Sequence, residues 1–142
     1  MKGLNTWWFF ALVAAFFAAL TAILAKIGIR GISSDLATAI RTVFILLIAW
    51  GIVFARNESE GITLLSKTNW IFLGLSGVAT GLSWIFYFKA LQIGKVSQVA
   101  PLDKMSVAIA IILSAIFLQE VITWKIALGA SLIIIGTLVL IF

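Results

Sequence analysis

Residues 7–25 read WWFFALVAAFFAALTAILA and contain one polar side chain, Thr21, in nineteen positions. A helix needs about 20 consecutive apolar residues to cross the hydrocarbon core of a bilayer. A signal peptide has a shorter apolar core of about 7–15 residues, so the length favours a retained helix. Two tryptophans open the run, where indole rings sit at the depth of the lipid headgroups. The stretch therefore predicts a membrane-spanning helix over residues 7–26.

Four more apolar runs follow, and together the five predict transmembrane helices at residues 7–26, 36–55, 70–89, 97–118 and 124–142. The fourth run is unusual because its unbroken apolar part, residues 106–118, gives only about 20 Å of helix. A start at Ser97 supplies enough length. It also predicts that Pro101 lies in the first helical turn, where a proline is tolerated.

The composition excludes a soluble globular protein. Of the 142 residues, 63% are hydrophobic and 11% are charged, and the mean hydropathy is +1.23. A soluble domain has about 45–50% apolar and about 25% charged residues. We therefore expect an all-α, multi-pass integral membrane protein that forms one domain over residues 1–142. The expected location is the plasma (inner) membrane of a prokaryote.

Several classes of function are excluded by what the sequence lacks. The chain has no cysteine and no histidine, which removes disulfides, thiol and imidazole catalysis, and the common zinc and haem sites. Its acidic loop residues, Glu58, Glu60 and Glu120, stand without a nucleophile or a metal-binding partner in the pattern. The Lys and Arg residues are scattered singly, whereas nucleic-acid-binding proteins cluster them. We expect no enzymatic activity, no cofactor, no metal and no nucleic-acid partner.

Eight of the ten basic residues, those in the loops or at the ends of the predicted helices, divide evenly between the two sides of the membrane, and Arg41 and Lys104 lie deeper within their runs. One side holds Lys2, Arg56, Lys67 and Lys125, and the other holds Lys26, Arg30, Lys89 and Lys95. An excess of Lys and Arg in short loops sets the orientation of a membrane protein. With a tie, either one side wins through details that the count misses, or copies insert in both orientations and form an antiparallel pair.

The third run carries two stripes when its residues are placed at 100° intervals. One stripe holds the hydroxyl side chains Ser76, Thr80, Ser83 and Tyr87, and the other holds Gly74, Gly77 and Gly81. Small residues let helices approach closely, which predicts that the glycine stripe packs against a neighbouring helix. The hydroxyl stripe either faces a cavity or bonds to backbone carbonyls four residues earlier in its own helix.

Arg41 is the most informative single residue, because it lies five residues inside the second run on a face shared with Ser34, Thr38 and Thr42. Ionisable groups in a bilayer are costly and usually face a cavity or a partner helix. The alternatives for Arg41 are that it reaches a membrane surface or bonds to carbonyls at a helix end.

Asp103 has alternative roles in the fourth run: it complements the helix dipole, pairs with Arg41, Lys89 or Lys104, or takes part in proton- or substrate-linked steps. Trp84 and Phe88 are either ordinary lipid-facing or packing aromatics, or part of a site. The candidate substrate pathway comprises Thr38, Arg41, Ser76, Thr80, Ser83, Trp84, Tyr87, Lys89, Asp103 and Lys104.

Five segments resemble one repeat of the EamA-like family, which belongs to the drug/metabolite transporter superfamily. They are residues 36–42 (LATAIRT), 81–84 (GLSW), 87–94 (YFKALQIG), 99–106 (VAPLDKMS) and 117–120 (FLQE). The ordinary two-repeat pattern has apolar or small residues where Asp103 and Lys104 stand, and often glycine where Gln119 stands.

The resemblance implies half of an inverted-repeat fold. Members usually carry two repeats in ten helices, with four helices of each repeat around a central cavity and the fifth outside. This chain is similar to the single-repeat members that must pair. We therefore expect a secondary transporter, an exporter of small anionic or zwitterionic metabolites, that works by alternating access. Its expected partners are membrane lipids and either a second copy, as an antiparallel homodimer, or a paralogous half-transporter. The alternative is a non-transporting accessory subunit of a larger assembly, such as a lipid-linked sugar flippase.

Overall fold

A computed structural model describes residues 6–142 of the chain, and its regular elements are all helical in that range. The helices are α1 (Trp7–Gly28), α2 (Ser34–Ala55), α3 (Lys67–Ile93), α4 (Val96–Asp103), α5 (Met105–Phe117) and α6 (Trp124–Ile141). A short 3₁₀ helix, Ser59–Leu64, lies between α2 and α3. Lys2, which the charge count places on one side of the membrane, lies outside the described residues.

Five helical spans are long and apolar enough to cross a membrane, with α4 and α5 together forming the fourth. The prediction of an all-α membrane protein is therefore confirmed. The third span is longer than the apolar run, because α3 takes in Lys67 at its start and continues through Lys89 to Ile93.

The fourth span is broken at Lys104, and the prediction that Pro101 lies in a first helical turn is wrong. Pro101 is the sixth residue of α4, so its missing N–H removes the helical bond that the carbonyl of Ser97 would otherwise accept. The N–H of Lys104 donates to the Pro101 carbonyl at 2.9 Å, only three residues back. This tight turn separates α4 from α5.

The chain divides into two compact units, one of Ala25–Gln92 and one of the residues up to Leu24 together with Ile93–Phe142. In the second of these, α4 and α5 both pack against α6. The hydroxyl of Thr137 on α6 is buried and donates to the carbonyl of Pro101 at 3.3 Å, so α6 holds the break in place.

In the unit Ala25–Gln92, the buried side chains lie where α1 ends, α2 begins and α3 ends: Ile29, Ser34, Thr38, Phe88 and Leu91. Two hydrogen bonds between distant parts of the sequence join this region. The ammonium group of Lys26 donates to the Leu91 carbonyl, and Nε2 of Gln92 donates to the Ile32 carbonyl at 2.7 Å. The end of α3 is thereby attached to the α1–α2 connection.

Two non-glycine residues just past helix ends have a left-handed backbone: Asn57, after α2, and Gln119, after α5, each with φ of 56°. At Asn57 the turn is well bonded, because the N–H of Glu58 donates to Val53 and the N–H of Asn57 to Phe54. Glutamine tolerates this conformation less well than asparagine or glycine. Glycine is the residue that this backbone conformation favours.

Replacing Gln119 with glycine is expected to stabilise the protein. A non-glycine residue in this conformation carries about 1–3 kcal/mol of strain, while glycine costs about 0.5–1 kcal/mol of chain entropy. Gln119→Gly should therefore raise the free energy of unfolding in detergent by about 1 kcal/mol. Gln98, exposed in α4, offers a matched control: Gln98→Gly should lower that free energy by about 1 kcal/mol. Equal losses in both variants would contradict the argument.

Candidate functional site

The guanidinium group of Arg41 lies against two aromatic rings of α3. Its central carbon is 4.2 Å from the centroid of the Trp84 ring and 5.2 Å from that of Phe88. Trp84 and Phe88 are four residues apart, so they present neighbouring faces one helical turn from each other. Phe88 is 1% exposed, while Trp84 and Arg41 are half-buried. The structure thus brings Arg41 and Trp84 together and adds Phe88.

The rings lower the cost of placing a charge at this depth. Arg41 is the eighth residue of α2, which places it about 10 Å along the helix from Ser34. An Arg at the centre of a membrane helix costs about 2.5–3.5 kcal/mol on insertion scales, and a desolvated cation–π contact contributes about 2 kcal/mol. Unlike a carboxylate, an aromatic ring carries no net charge. The rings therefore stabilise the guanidinium without neutralising it.

Phe88 is the residue that sequence reasoning undervalued. The sequence left its role open and the candidate substrate pathway did not include it, whereas the structure places its ring 5.2 Å from the Arg41 guanidinium carbon. The available signal was the pair of aromatics at i and i+4, combined with an arginine inside an apolar run that needs some favourable neighbour.

The hydroxyl groups near the start of α2 bond along their own helix. Ser33 caps α2 by accepting from the N–H of Leu36 at 3.3 Å. The hydroxyl of Thr38 donates to the Ser34 carbonyl, and that of Thr42 donates to the Thr38 carbonyl, each at 2.8 Å. Thr38 is 6% exposed. Its side chain helps to pack the segment that carries Arg41, and its assignment to a substrate pathway stays a prediction.

Along α3 the hydroxyl stripe runs toward the Arg41 site. Ser76, Thr80 and Ser83 are exposed, and Tyr87 is half-buried with its ring centroid 6.1 Å from that of Phe88. The hydroxyl of Thr80 donates to the Ser76 carbonyl at 2.9 Å. For this residue, the structure shows the bond to a carbonyl four residues earlier that was the alternative to a cavity-facing role. That the stripe faces a cavity stays a prediction.

Within the unit Ala25–Gln92, the glycine stripe of α3 has no neighbouring helix at contact distance. A Cβ atom added at Gly74, Gly77 or Gly81 would have no heavy atom within 4 Å apart from the residues next to it and its own helix backbone. The predicted neighbouring helix is therefore not one of this unit, because sequence spacing identifies a smooth face but not what covers it.

The other charged residues of the predicted pathway are Lys89, Asp103 and Lys104. Oδ2 of Asp103 accepts from Nζ of Lys104 at 3.2 Å, and the two residues form an ion pair. The side chains are 36% and 56% exposed, respectively, and Lys89 is exposed on α3. Of the partners considered for Asp103, the structure pairs it with its neighbour in sequence. A joint role of these residues with Arg41 stays a prediction.

Two comparisons with known proteins are informative. The sequence pattern of the EamA-like transporter family matches residues 5–142. A protein of Sinorhizobium sp, named "Uncharacterized transporter in cobO 3'region", is 45% identical over 136 residues, which cover 96% of each chain. No solved structure matches the chain.

The contact between Arg41 and Trp84 should be measurable as an energetic coupling. We expect a double-mutant cycle of Arg41→Met and Trp84→Leu, read from unfolding in detergent, to give a coupling of about 1–2 kcal/mol. The same cycle with Trp70→Leu is the control, since Trp70 lies fourteen residues earlier on α3, about 21 Å along the helix. A coupling for Trp84 no larger than that for Trp70 would show that the rings do not hold the guanidinium.

Proposed function

The chain belongs to the EamA-like transporter family, and we propose that it is a secondary exporter of small anionic or zwitterionic metabolites. It works in the plasma membrane of a prokaryote as an antiparallel pair of identical chains, by alternating access. The observation that carries the proposal is the Arg41 guanidinium, which lies within an apolar helical span and 4.2 Å from the centroid of the Trp84 ring.

The charge balance supports an anionic group on the substrate. The chain carries ten Lys and Arg residues against five Asp and Glu, and the described ion pair joins Asp103 to Lys104 rather than to Arg41. A positive field at the mouth of a cavity raises the local concentration of anions. Arginine can hold a carboxylate through two parallel hydrogen bonds. A zwitterion fits the same site through its carboxylate, with the hydroxyl stripe of α3 beside it.

Secondary transport is favoured over transport driven directly by ATP. The sequence has no glycine-rich phosphate loop, since its glycines occur singly and most of them lie within the apolar runs. Ion or substrate gradients remain as the source of energy. Alternating access would then consist of one chain rocking against its partner around a shared cavity.

Pairing is supported by the faces that one chain leaves open. The glycine stripe has no neighbour within 4 Å where a Cβ would stand, and Ser76, Thr80 and Ser83 on the same helix are exposed. Small residues favour close contact between helices in a membrane. A transporter of inverted repeats holds its site near the midplane between repeats, so two oppositely inserted copies would rebuild such a site. A paralogous half-transporter as partner is the alternative to a second copy.

Removing the charge of Arg41 should impair transport more than folding. We expect Arg41→Gln to lower the rate for an anionic substrate, found by screening small carboxylates and zwitterions in proteoliposomes, by about 10–100-fold, because one charge-assisted contact is lost. Arg56→Gln is the matched control: Arg56 is exposed at the other end of α2 and should leave transport unchanged. Normal transport by an Arg41→Gln protein that is merely less stable would make the residue structural.

Both orientations of the chain should occur in the membrane. A C-terminal reporter that is active on only one side of the membrane should give signal, and so should a second reporter specific for the opposite side, because the loop charges are even. Adding two lysines at one end should shift the ratio strongly toward one reporter. A single orientation, with a parallel dimer detected by cross-linking, would refute the antiparallel arrangement.

A further inference from the structure

A cavity opens in the unit Ala25–Gln92, where the connection between α1 and α2 meets the end of α3. Its volume is about 460 Å³, and its lining residues are Lys26, Ile29, Arg30, Gly31, Ile32 and Gln92. The cavity differs from the Arg41 site, since none of its lining residues belongs to α2 and none contacts the Arg41 guanidinium through the aromatic contacts described above.

The walls of this cavity are fixed by backbone geometry and by hydrogen bonds. Gly31 has a φ of 77°, a conformation that glycine adopts without strain and that turns the chain between the two helices. Gln92 is tied to the Ile32 carbonyl at 2.7 Å, and the ammonium group of Lys26 is tied to the Leu91 carbonyl. Ile29 is 5% exposed and anchors the connection.

The lining carries two positive charges and no acidic side chain. Arg30 is exposed, so its guanidinium is accessible to solutes, and the charge of Lys26 stays beside the cavity because of its bond to Leu91. The neutral amide of Gln92 adds polarity, and Ile29 and Ile32 add an apolar surface. The combination suits an anion that is attached to an apolar group.

The position of the cavity indicates which anion it meets. Span α1 ends at Gly28 and α2 begins at Ser34, so the connection lies at the end of two membrane spans, at the depth of the lipid headgroups. Phosphate is the abundant anion at that depth, and arginine matches its geometry with two parallel hydrogen bonds. Basic pockets between transmembrane helices bind phosphate-bearing headgroups by the same chemistry.

We propose that this cavity binds a phosphate-bearing anion, with Arg30 as the principal contact and Lys26 as a second source of positive charge. The source is either the headgroup of an anionic phospholipid or free phosphate. The proposal does not depend on transport, because it concerns the surface connection and not the Arg41 site.

The test is ligand-dependent thermal stability of the full chain, purified in a neutral detergent. Three probes are titrated separately: short-chain phosphatidylglycerol, short-chain phosphatidylcholine and inorganic phosphate. A ligand that binds only the folded state raises the unfolding midpoint in proportion to its occupancy. A rise with phosphatidylglycerol alone identifies a lipid headgroup, and a rise with inorganic phosphate identifies the free anion. If neither phosphatidylglycerol nor inorganic phosphate raises the unfolding midpoint, the proposal is overturned.

Variants locate the binding. We expect Arg30→Gln to weaken the apparent affinity about tenfold or more, and Arg30→Lys to fall between that variant and the natural chain, because it keeps the charge but loses the two-pronged geometry. Arg56→Gln removes the same group from the exposed far end of α2 and should change nothing. Equal weakening by Arg30→Gln and Arg56→Gln would mean diffuse surface attraction and would overturn the assignment to this cavity.

Discussion

A charge inside a bilayer has no water to solvate it, and the packing at one end of the unit Ala25–Gln92 can be understood from that constraint. The guanidinium of Arg41 takes its favourable contacts from the faces of Trp84 and Phe88. An aromatic face serves this purpose only if its ring is held in place, and Phe88 is 1% exposed, with fully buried Leu91 one turn further on. The bonds from Lys26 and Gln92 then fix the end of α3 that carries these rings.

The same lack of water acts on the backbone. Within a membrane, a helix break is tolerated where a neighbouring helix or a Ser or Thr side chain satisfies the polar groups that the break releases. In the fourth span, Pro101 interrupts the ladder of hydrogen bonds, and the chain turns at Lys104. Thr137 of α6 donates to the Pro101 carbonyl and is 4% exposed. The hydroxyl thus adds a second bond to a carbonyl that already accepts from the N–H of Lys104, and it ties α6 to the turn between α4 and α5.

The sequence allowed the membrane class and the five spans to be predicted, because the cost of exposing polar groups to lipid leaves a plain pattern of apolar runs. Features that depend on contacts between distant residues were harder. A helix start at Ser97 gave the right length for the fourth span. The sequence did not show that the Pro101 carbonyl accepts a hydrogen bond from Thr137, thirty-six residues later. The sequence identified Arg41 and Trp84 separately, whereas the contacts of Arg41 with Trp84 and Phe88 could be seen only in the structure. The stripe of Gly74, Gly77 and Gly81 was visible, but within the unit Ala25–Gln92 no helix covers it.

The two arginines on either side of the start of α2 differ in their expected depth in the membrane, and this difference separates their proposed roles. Arg30 lies in the connection between α1 and α2 and is exposed, so solutes can reach its guanidinium. Arg41 lies inside the span, where aromatic rings are its described neighbours. In an antiparallel pair, the two copies would place the Arg30 cavity at opposite surfaces of the membrane. Anionic headgroups in both leaflets could then bind one copy each, and such binding would stabilise both orientations alike. Where both leaflets contain anionic lipid, phosphate binding at this site adds no preference for one orientation of the chain. The proposed site is therefore compatible with the even distribution of loop charges.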